Sequence, residues 1–168
     1  MFYLDLFKAL QDDSVRYVVV GGLAVNLHGV SRLTMDVDLV VALDAENLAR
    51  FAKAAQRLAL KPVVPVALDE LGDAAKVRSW IEEKHMLVFA LRPPGAADPT
   101  IDLLMQPAVS FDEVYRARLE KDIAGIRVPV ASIAHLVALK TGTGRHKDES
   151  DIVALRALEA ERGQGDQP

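Results

Sequence analysis

The stretch Thr34-Met-Asp-Val-Asp-Leu-Val-Val41 constrains the fold more than any other part of the sequence. Apolar residues alternate there with Asp36 and Asp38, which is the two-residue period of a β-strand. Val37 and Leu39 can then face a hydrophobic core while both carboxylates face the other way. Two solvated aspartates on the open face of a sheet would give the same pattern. The pattern therefore predicts a half-buried strand and leaves the role of the carboxylates open.

A shorter apolar strand is predicted just before this one. Tyr17-Val-Val-Val20 ends at Gly21-Gly22, and a short helix over 23–28 follows, which Gly29 terminates. Glycine lets the backbone approach a phosphate closely, and the N-terminus of the next helix offers unpaired N–H groups to an anion. A strand-to-helix turn also needs glycine for conformational reasons alone. Phosphate binding and turn geometry are both consistent with the glycine pair.

A third carboxylate, Asp102, lies in an apolar segment downstream. We expect its strand, 100–105, to pair antiparallel with 86–91 across a polar turn over 92–99. If this strand also neighbours that of Asp36, the carboxylates lie about 5–7 Å apart. Carboxylates at such distances are typical ligands of Mg²⁺ and can also bind Mn²⁺. The sequence therefore predicts a divalent metal site, on condition that the two strands are neighbours.

Apolar periodicity and capping residues predict the other elements and an α+β (α/β) fold with a mixed sheet flanked by helices. We expect a core over 1–130, a C-terminal helical pair over 131–162 and a disordered tail over 163–168. The remaining elements are helices over 2–10, 45–60, 70–83, 111–119 and 132–141, a last helix carrying Ile152, Leu155 and Leu158, and a strand over 125–130.

The composition narrows the classes of protein. With 51% hydrophobic and 26% charged residues, the chain of 168 residues resembles a soluble globular domain. The net charge of -4 gives no overall attraction for nucleic acid, so such contacts must be local. The chain has no Cys, and we find neither a signal peptide nor a stretch long enough to cross a membrane. We therefore expect a cytoplasmic protein.

Several polar side chains outside the strands have more than one interpretation. Lys140 continues an apolar helical stripe, so it either extends outward to solvent or reaches a buried anion, for which a nucleoside triphosphate is the candidate. Asp151 can hold Lys140 or Arg145 in place, cap the last helix, or act as a base. His28 and Arg32 lie near the glycine pair and can contact phosphate or base, although a histidine at a helix end also caps the helix.

The segment from Gly21 to Asp38 resembles the nucleotidyltransferase superfamily that includes DNA polymerase β. Members carry a Gly-Gly or Gly-Ser turn, an Asp-x-Asp about a dozen residues later, and a distant third Asp. The segment is most similar to the bacterial branch that contains abortive-infection toxins of toxin–antitoxin systems. That branch has a later motif of a Lys, a downstream Arg and a Lys/Arg-Asp-x-x-Asp run, matched here by Lys140, Arg145, Lys147-Asp148 and Asp151. One departure is Gly22, which stands where many relatives have Ser.

The resemblance implies an enzyme with the nucleotidyltransferase fold and a short C-terminal helical segment. It would use Mg²⁺ (or Mn²⁺) to transfer a nucleoside monophosphate from an NTP to RNA, a protein or a small molecule, with a partner protein if it belongs to a toxin–antitoxin pair. The implied catalytic and metal-binding residues are Asp36, Asp38 and Asp102, and the implied nucleotide-binding residues are Gly21, Gly22, Arg32, Lys140 and Asp151. Two alternatives are a non-catalytic nucleotide-binding or partner-binding module with this fold, and an unrelated α/β domain.

Overall fold

A computed structural model describes residues 2–95 and 97–164. The helices of these residues are α1 (Phe2–Asp12), α2 (Gly21–His28), α3 (Ala45–Arg57), a 3-10 helix (Leu68–Gly72), α4 (Ala74–Glu82), α5 (Phe111–Arg116), α6 (Ile133–Lys140) and α7 (His146–Gln164). The strands are β1 (Tyr17–Val20), β2 (Asp36–Val41), β3 (Lys61–Pro62), β4 (Val88–Arg92), β5 (Thr100–Leu104), β6 (Leu119–Ile123) and β7 (Ile126–Val130). No helix in the described part is long and apolar enough to cross a membrane.

The strands form one mixed sheet in the order β3-β4-β5-β2-β1-β7-β6. The pairs β2–β5 and β1–β7 are parallel, and the other neighbours are antiparallel. Helices flank this sheet, so the predicted α+β fold with a mixed sheet is confirmed. The expected β4–β5 hairpin is confirmed as well, with Phe89 opposite Leu103.

The two-residue alternation in β2 determines which face of the sheet is buried. Val37 and Leu39 are fully buried, whereas Asp36 is exposed and Asp38 is partly exposed. The same side of the sheet carries Ile101 and its neighbours in β5 and β4, all within the hydrophobic core. Burial of each such side chain stabilises the fold by about 1.5–3 kcal/mol. The polar side chains of β2 are thereby held on the opposite face.

Helix α3 begins as predicted and ends early. The Asp44 side chain accepts a hydrogen bond from the Asn47 N–H at 3.1 Å and caps the helix. The helix ends at Arg57 instead of 60, and residue 59 has a positive φ of 53°. After the helix, Lys61–Pro62 pairs antiparallel with β4 as the edge strand β3.

The predicted helix over 70–83 is interrupted. A 3-10 helix ends at Gly72, and the Asp73 side chain then caps α4 by accepting from the N–H groups of Ala75 at 2.9 Å and Lys76 at 3.2 Å. Asp73, the residue after Gly72, is a new N-cap, so a separate helix begins there. The prediction of one continuous helix was therefore wrong.

The segment after α5 forms a hairpin that the sequence did not predict. The helix predicted over 111–119 ends at Arg116, and Leu119–Ile123 pairs antiparallel with β7. Ala124 and Gly125 form the turn, with φ values of 54° and 81°. Two consecutive positive φ values are the geometry that connects twisted antiparallel strands most tightly.

The two C-terminal helices pack against each other and against α2. The Ser132 hydroxyl caps α6, as predicted, by accepting from the His135 N–H at 3.3 Å. Helix α7 runs from His146 to Gln164, so the expected disordered tail was wrong for 163 and 164. The rest of the expected tail, 165–168, lies outside the described residues. The division into a core and a helical pair stays a prediction.

Candidate active site

The three predicted aspartates meet on one face of the sheet. In the parallel register of β2 and β5, Asp38 lies opposite Asp102 and Asp36 lies opposite Thr100. The expectation that the strand of Asp102 neighbours that of Asp36 is therefore confirmed. On its other side, Asp38 lies opposite Val20 at the end of β1. The carboxylates thus lie beside the junction between β1 and α2.

The electrostatic environment disfavours the ionised form of two of the three carboxylates, Asp38 and Asp102. Burial, with the nearby charges of Asp102 and Asp36, raises the pKa of Asp38 from 3.8 to about 6, although Lys140 and the Gly22 N–H favour its ionised form. Burial and Asp36 also raise the pKa of Asp102. The Oδ1 atom of Asp102 is buried and has no hydrogen-bond partner among the described residues. A bound cation would relieve both effects, because it supplies positive charge and a ligand bond.

These residues suit a divalent ion by chemistry, although they are not a preformed cage. Among residues 2–95 and 97–164, no group of three His, Cys, Asp or Glu side chains is already arranged to hold a metal. Mg²⁺ needs only one or two protein carboxylates, since waters and substrate phosphates complete its octahedron. The unpartnered Oδ1 of Asp102 beside Asp38 is the observation that favours a cation at this position.

The glycine pair is required by the close approach of other side chains. Helix α2 includes both glycines, so it begins at Gly21 and not after Gly22 as predicted. Gly21 has φ 63°, and a Cβ there would lie 1.8 Å from Oδ2 of Asp38. A Cβ on Gly22 would lie 2.6 Å from Oγ1 of Thr34, and the Gly22 N–H donates to the Asp38 carboxylate. The structure thus accounts for both glycines without a ligand, Gly21 by its positive φ and close contact and Gly22 by close contact alone. Phosphate binding stays a prediction.

Lys140 is buried and paired with two carboxylates of α7. Only 7% of the residue is exposed, so it does not extend outward to solvent. Its Nζ lies 3.0 Å from Oδ1 of Asp148 and 2.8 Å from Oδ2 of Asp151. The pKa of Asp148 is affected most by burial, which raises it, but hydrogen bonds from Thr143 and Lys140 outweigh burial and lower the pKa overall. The buried anions that Lys140 reaches in this structure are thus protein side chains.

Asp151 joins Lys140 to the loop that precedes β2. Its Oδ2 accepts a hydrogen bond from Nη1 of Arg32 as well as from Lys140. Of the roles considered for Asp151, the structure shows that it holds Lys140 in place. The second cationic partner of Asp151 is Arg32 and not Arg145. Thr143 completes the network by donating to Asp148 at 2.7 Å.

A cleft of about 550 Å³ joins the acidic and basic groups. Arg145 and Lys147 lie on its basic side with Lys140 and Arg32, whereas Asp151 does not line it and lies behind Lys140. Sequence reasoning did not predict the aliphatic part of the lining, because nothing in a local pattern marks it. These aliphatic residues are Val20, Leu87, Val88, Leu104, Pro107, Ala108, Leu136 and Leu139.

His28 has a structural role and does not line the cleft. The residue is 2% exposed, and its Nε2 lies 2.8 Å from the carbonyl oxygen of Ala131. Gly29 terminates α2 in the left-handed conformation with φ 109°, as predicted. Nη2 of Arg162 donates to the His28 carbonyl at 2.9 Å, which caps α2 from α7. Contact between His28 and a phosphate or base is therefore not what the structure shows.

Solved structures with a similar fold are nucleotidyltransferases or proteins like them. A nucleotidyltransferase candidate from Thermotoga maritima aligns with a TM-score of 0.53 and 12% identity over 97% of this chain and 89% of its own. An antigenic nucleotidyltransferase-like protein from Paracoccidioides brasiliensis gives 0.55 and 21% over 91% and 72%. The antibiotic-resistance factor ANT(2'')-Ia gives 0.51 and 14% over 97% and 94%. These likenesses define the nucleotidyltransferase fold.

The sequence gives a narrower assignment. A family described as "Nucleotidyltransferase of unknown function (DUF6036)" matches residues 4–159. The chain belongs to this family of nucleotidyltransferases. No curated protein sequence matches it significantly.

Proposed function

We propose that the protein transfers a nucleoside monophosphate from an NTP to an acceptor hydroxyl, with Mg²⁺ or Mn²⁺ as the required ion. The observation that carries this proposal is the opposition of Asp38 and Asp102, with Asp36 two residues away, across a cleft from buried Lys140. A cleft that is acidic on one side and basic on the other suits a metal-bound triphosphate. Family membership and fold support the same reaction class.

Asp36, Asp38 and Asp102 would hold the ion through their carboxylate oxygens. When bound, the ion would neutralise triphosphate charge and make the acceptor hydroxyl more acidic. The acceptor oxygen would form a bond to the α-phosphorus while the bond to the bridging oxygen breaks, and pyrophosphate would leave. Asp102 would take the hydroxyl proton, for which its raised pKa suits it.

The basic side of the cleft would hold the triphosphate. An ammonium group has three N–H donors, and two of those on Lys140 are used by Asp148 and Asp151, so the third can donate to a phosphate oxygen. Arg32 is held beside it by the same Asp151 carboxylate. The N–H groups at the start of α2, from Gly21 onward, would contribute where the backbone borders the cleft. Asp151 would act as a positioning residue in this scheme.

Label transfer tests the proposal. The protein would be incubated with labelled NTPs, cell extract and either Mg²⁺ or EDTA, and RNA, protein and small-molecule fractions would be separated. We expect label in one fraction only with the metal, and no label with Asp38→Asn or Asp102→Asn. Asp69→Asn, an exposed site away from the cleft, is the matched control and should label normally. Label persisting in both cleft variants would contradict the mechanism.

One observation favours the non-catalytic alternative. The Gly22 N–H already donates to the Asp38 carboxylate, so this N–H at the start of α2 is not free to bind a phosphate in this structure. A nucleotide-binding or partner-binding module with this fold would show nucleotide affinity by calorimetry without transfer to any acceptor. Membership of a toxin–antitoxin pair and a cytoplasmic location remain predictions from the sequence.

A further inference from the structure

A second cleft lies at the opposite end of the central strands from the aspartates. Its volume is about 510 Å³. Strands β1 and β7 run parallel, and this cleft lies where both begin, whereas the candidate active site lies where they end. We call it the arginine cleft, after the three arginines among its lining residues Gln11, Arg16, Tyr17, Tyr115, Arg118, Glu120 and Arg127.

Three hydrogen-bond donor groups of the arginine cleft, on Gln11, Tyr17 and Arg127, have no partner among the described residues, whereas Arg16 is already paired with Asp44. The Oε1 atom of Gln11 accepts a hydrogen bond from the Arg127 backbone N–H at 2.9 Å. The N–H groups of Gln11 Nε2 therefore remain available to donate to a ligand. The exposed Arg127 guanidinium has no ion pair or hydrogen bond within the described chain. The Glu120 carboxylate is already taken by Nε of Arg118 at 2.8 Å. A cleft with this balance suits a ligand that only accepts hydrogen bonds and carries negative charge.

The Tyr17 hydroxyl is a second, independent indication of a ligand. Tyr17 is 2% exposed, and its hydroxyl has no hydrogen-bond partner among the described residues. A buried hydroxyl without a partner costs stability unless a ligand accepts its hydrogen bond. Burial and the nearby Glu120 charge raise the Tyr17 pKa, so the hydroxyl stays protonated and can donate.

The aromatic groups of the cleft do not suit a nucleobase. Phe111 stacks on the Tyr115 ring with centroids 5.0 Å apart, and Cζ of Arg118 lies 3.8 Å from the same centroid. Two protein groups therefore already contact the Tyr115 ring, so it is less available for stacking on a base. Recognition in this cleft depends on charge and hydrogen bonding.

We propose that the arginine cleft binds a phosphate group, carried by a free nucleotide or by the backbone of a nucleic acid strand, with Arg127, Gln11 and Tyr17 as donors. Guanidinium groups match phosphate oxygens with paired N–H donors, and phosphate accepts several hydrogen bonds at once. The site is distinct from the three aspartates and does not depend on the reaction proposed for them.

Nuclear magnetic resonance can test binding at this cleft separately from the active site. Labelled protein would be titrated with inorganic phosphate, and with NaCl at matched ionic strength, while the Arg127 Nε–H and Gln11 side-chain amide signals are followed. We expect saturating shifts with phosphate alone, and about tenfold weaker binding in Arg127→Gln, the size expected for one charged hydrogen-bonding group. Arg78→Gln makes the same charge change at an exposed site outside the cleft and should bind normally.

Two further measurements complete the test. Tyr17→Phe should fold with equal or higher stability and bind phosphate more weakly, whereas unchanged affinity would overturn the part assigned to Tyr17. AMP and a short single-stranded oligonucleotide distinguish the two sources: tighter binding of the oligonucleotide assigns the site to a nucleic acid backbone, and equal binding assigns it to free nucleotides. Equal shifts in NaCl and phosphate, or unchanged affinity in Arg127→Gln, would overturn the proposal.

Discussion

Asp38 of β2 lies directly opposite Asp102 of β5, and no described basic side chain pairs with either carboxylate. Two like charges therefore share a partly buried position on the sheet. This arrangement disfavours ionisation in the protein without a bound cation, and it has consequences that can be measured without knowing the acceptor.

The first prediction concerns pH. The pKa of Asp38 is raised from 3.8 to about 6, so the folded state binds more protons than the unfolded state over that interval. Stability without metal should therefore fall as pH rises from about 4 to 6, by roughly 2–3 kcal/mol for this group. Urea unfolding at several pH values in EDTA would measure it. Asp38→Asn should flatten the curve over this interval, and an equal slope in both proteins would contradict the raised pKa.

The second prediction separates stability from activity at Asp102. Asp102→Asn removes one of two opposed charges, so we expect the metal-free protein to gain about 1 kcal/mol of stability while losing nucleotidyl transfer. Thermal unfolding in EDTA gives the first quantity, and label transfer gives the second. Addition of Mg²⁺ should raise the melting temperature of the unchanged protein but not of this variant. A less stable Asp102→Asn protein would mean that the carboxylate has a structural partner.

The third prediction concerns the buried ion pairs. Lys140→Met leaves Asp148 without its buried counter-ion and Asp151 with Arg32 alone, which should destabilise the fold by about 3–5 kcal/mol. The double variant Lys140→Met/Asp148→Asn should recover part of that loss, because the uncompensated charge of Asp148 is gone while Arg32 still pairs with Asp151. Chemical denaturation of the single and double variants measures the coupling. Additive effects would show that the two side chains do not interact.

The fourth prediction concerns Gly21. Gly21→Ala places a Cβ 1.8 Å from Oδ2 of Asp38, so it should disturb the carboxylate as well as strain the backbone. Gly142→Ala is the matched control, since Gly142 also has positive φ, 78°, but nothing lies within 4 Å of the added atom. The control should lose about 1 kcal/mol, the cost of positive φ alone, and Gly21→Ala should lose more. Equal losses would argue against close contact with Asp38.

The aspartate strands were predictable because their patterns are local. Alternation in β2 and the apolar neighbours of Asp102 each predict a strand with one buried face. That the two strands are neighbours was only a condition of the prediction, and their parallel direction was not predicted, since two strands separated by α3 and the β3–β4 segment can be arranged in several orders. The resemblance to nucleotidyltransferases implied that the three aspartates share one site, but it did not give the order of the strands.

Two other features were beyond local patterns for different reasons. β6 reads Leu-Glu-Lys-Asp-Ile, and such a polar edge strand has too little apolar alternation to distinguish it from the end of a helix. The contact of Arg32 with Asp151 joins a loop to α7 across 119 residues, and it exists only once the helices have packed. Charged pairs of this kind leave no periodic trace in the sequence.

The cap that Arg162 places on α2 has a consequence for the order of events during synthesis. β1, α2 and β2 leave the ribosome early, but the His28 carbonyl gains its partner only when residue 162 has been made, 134 positions later. Lys140 and the two α7 carboxylates that pair with it are also synthesised late. A nascent chain therefore carries the aspartates long before Lys140, Arg145 and Lys147 have been made, so the cleft is complete only after synthesis has reached α7.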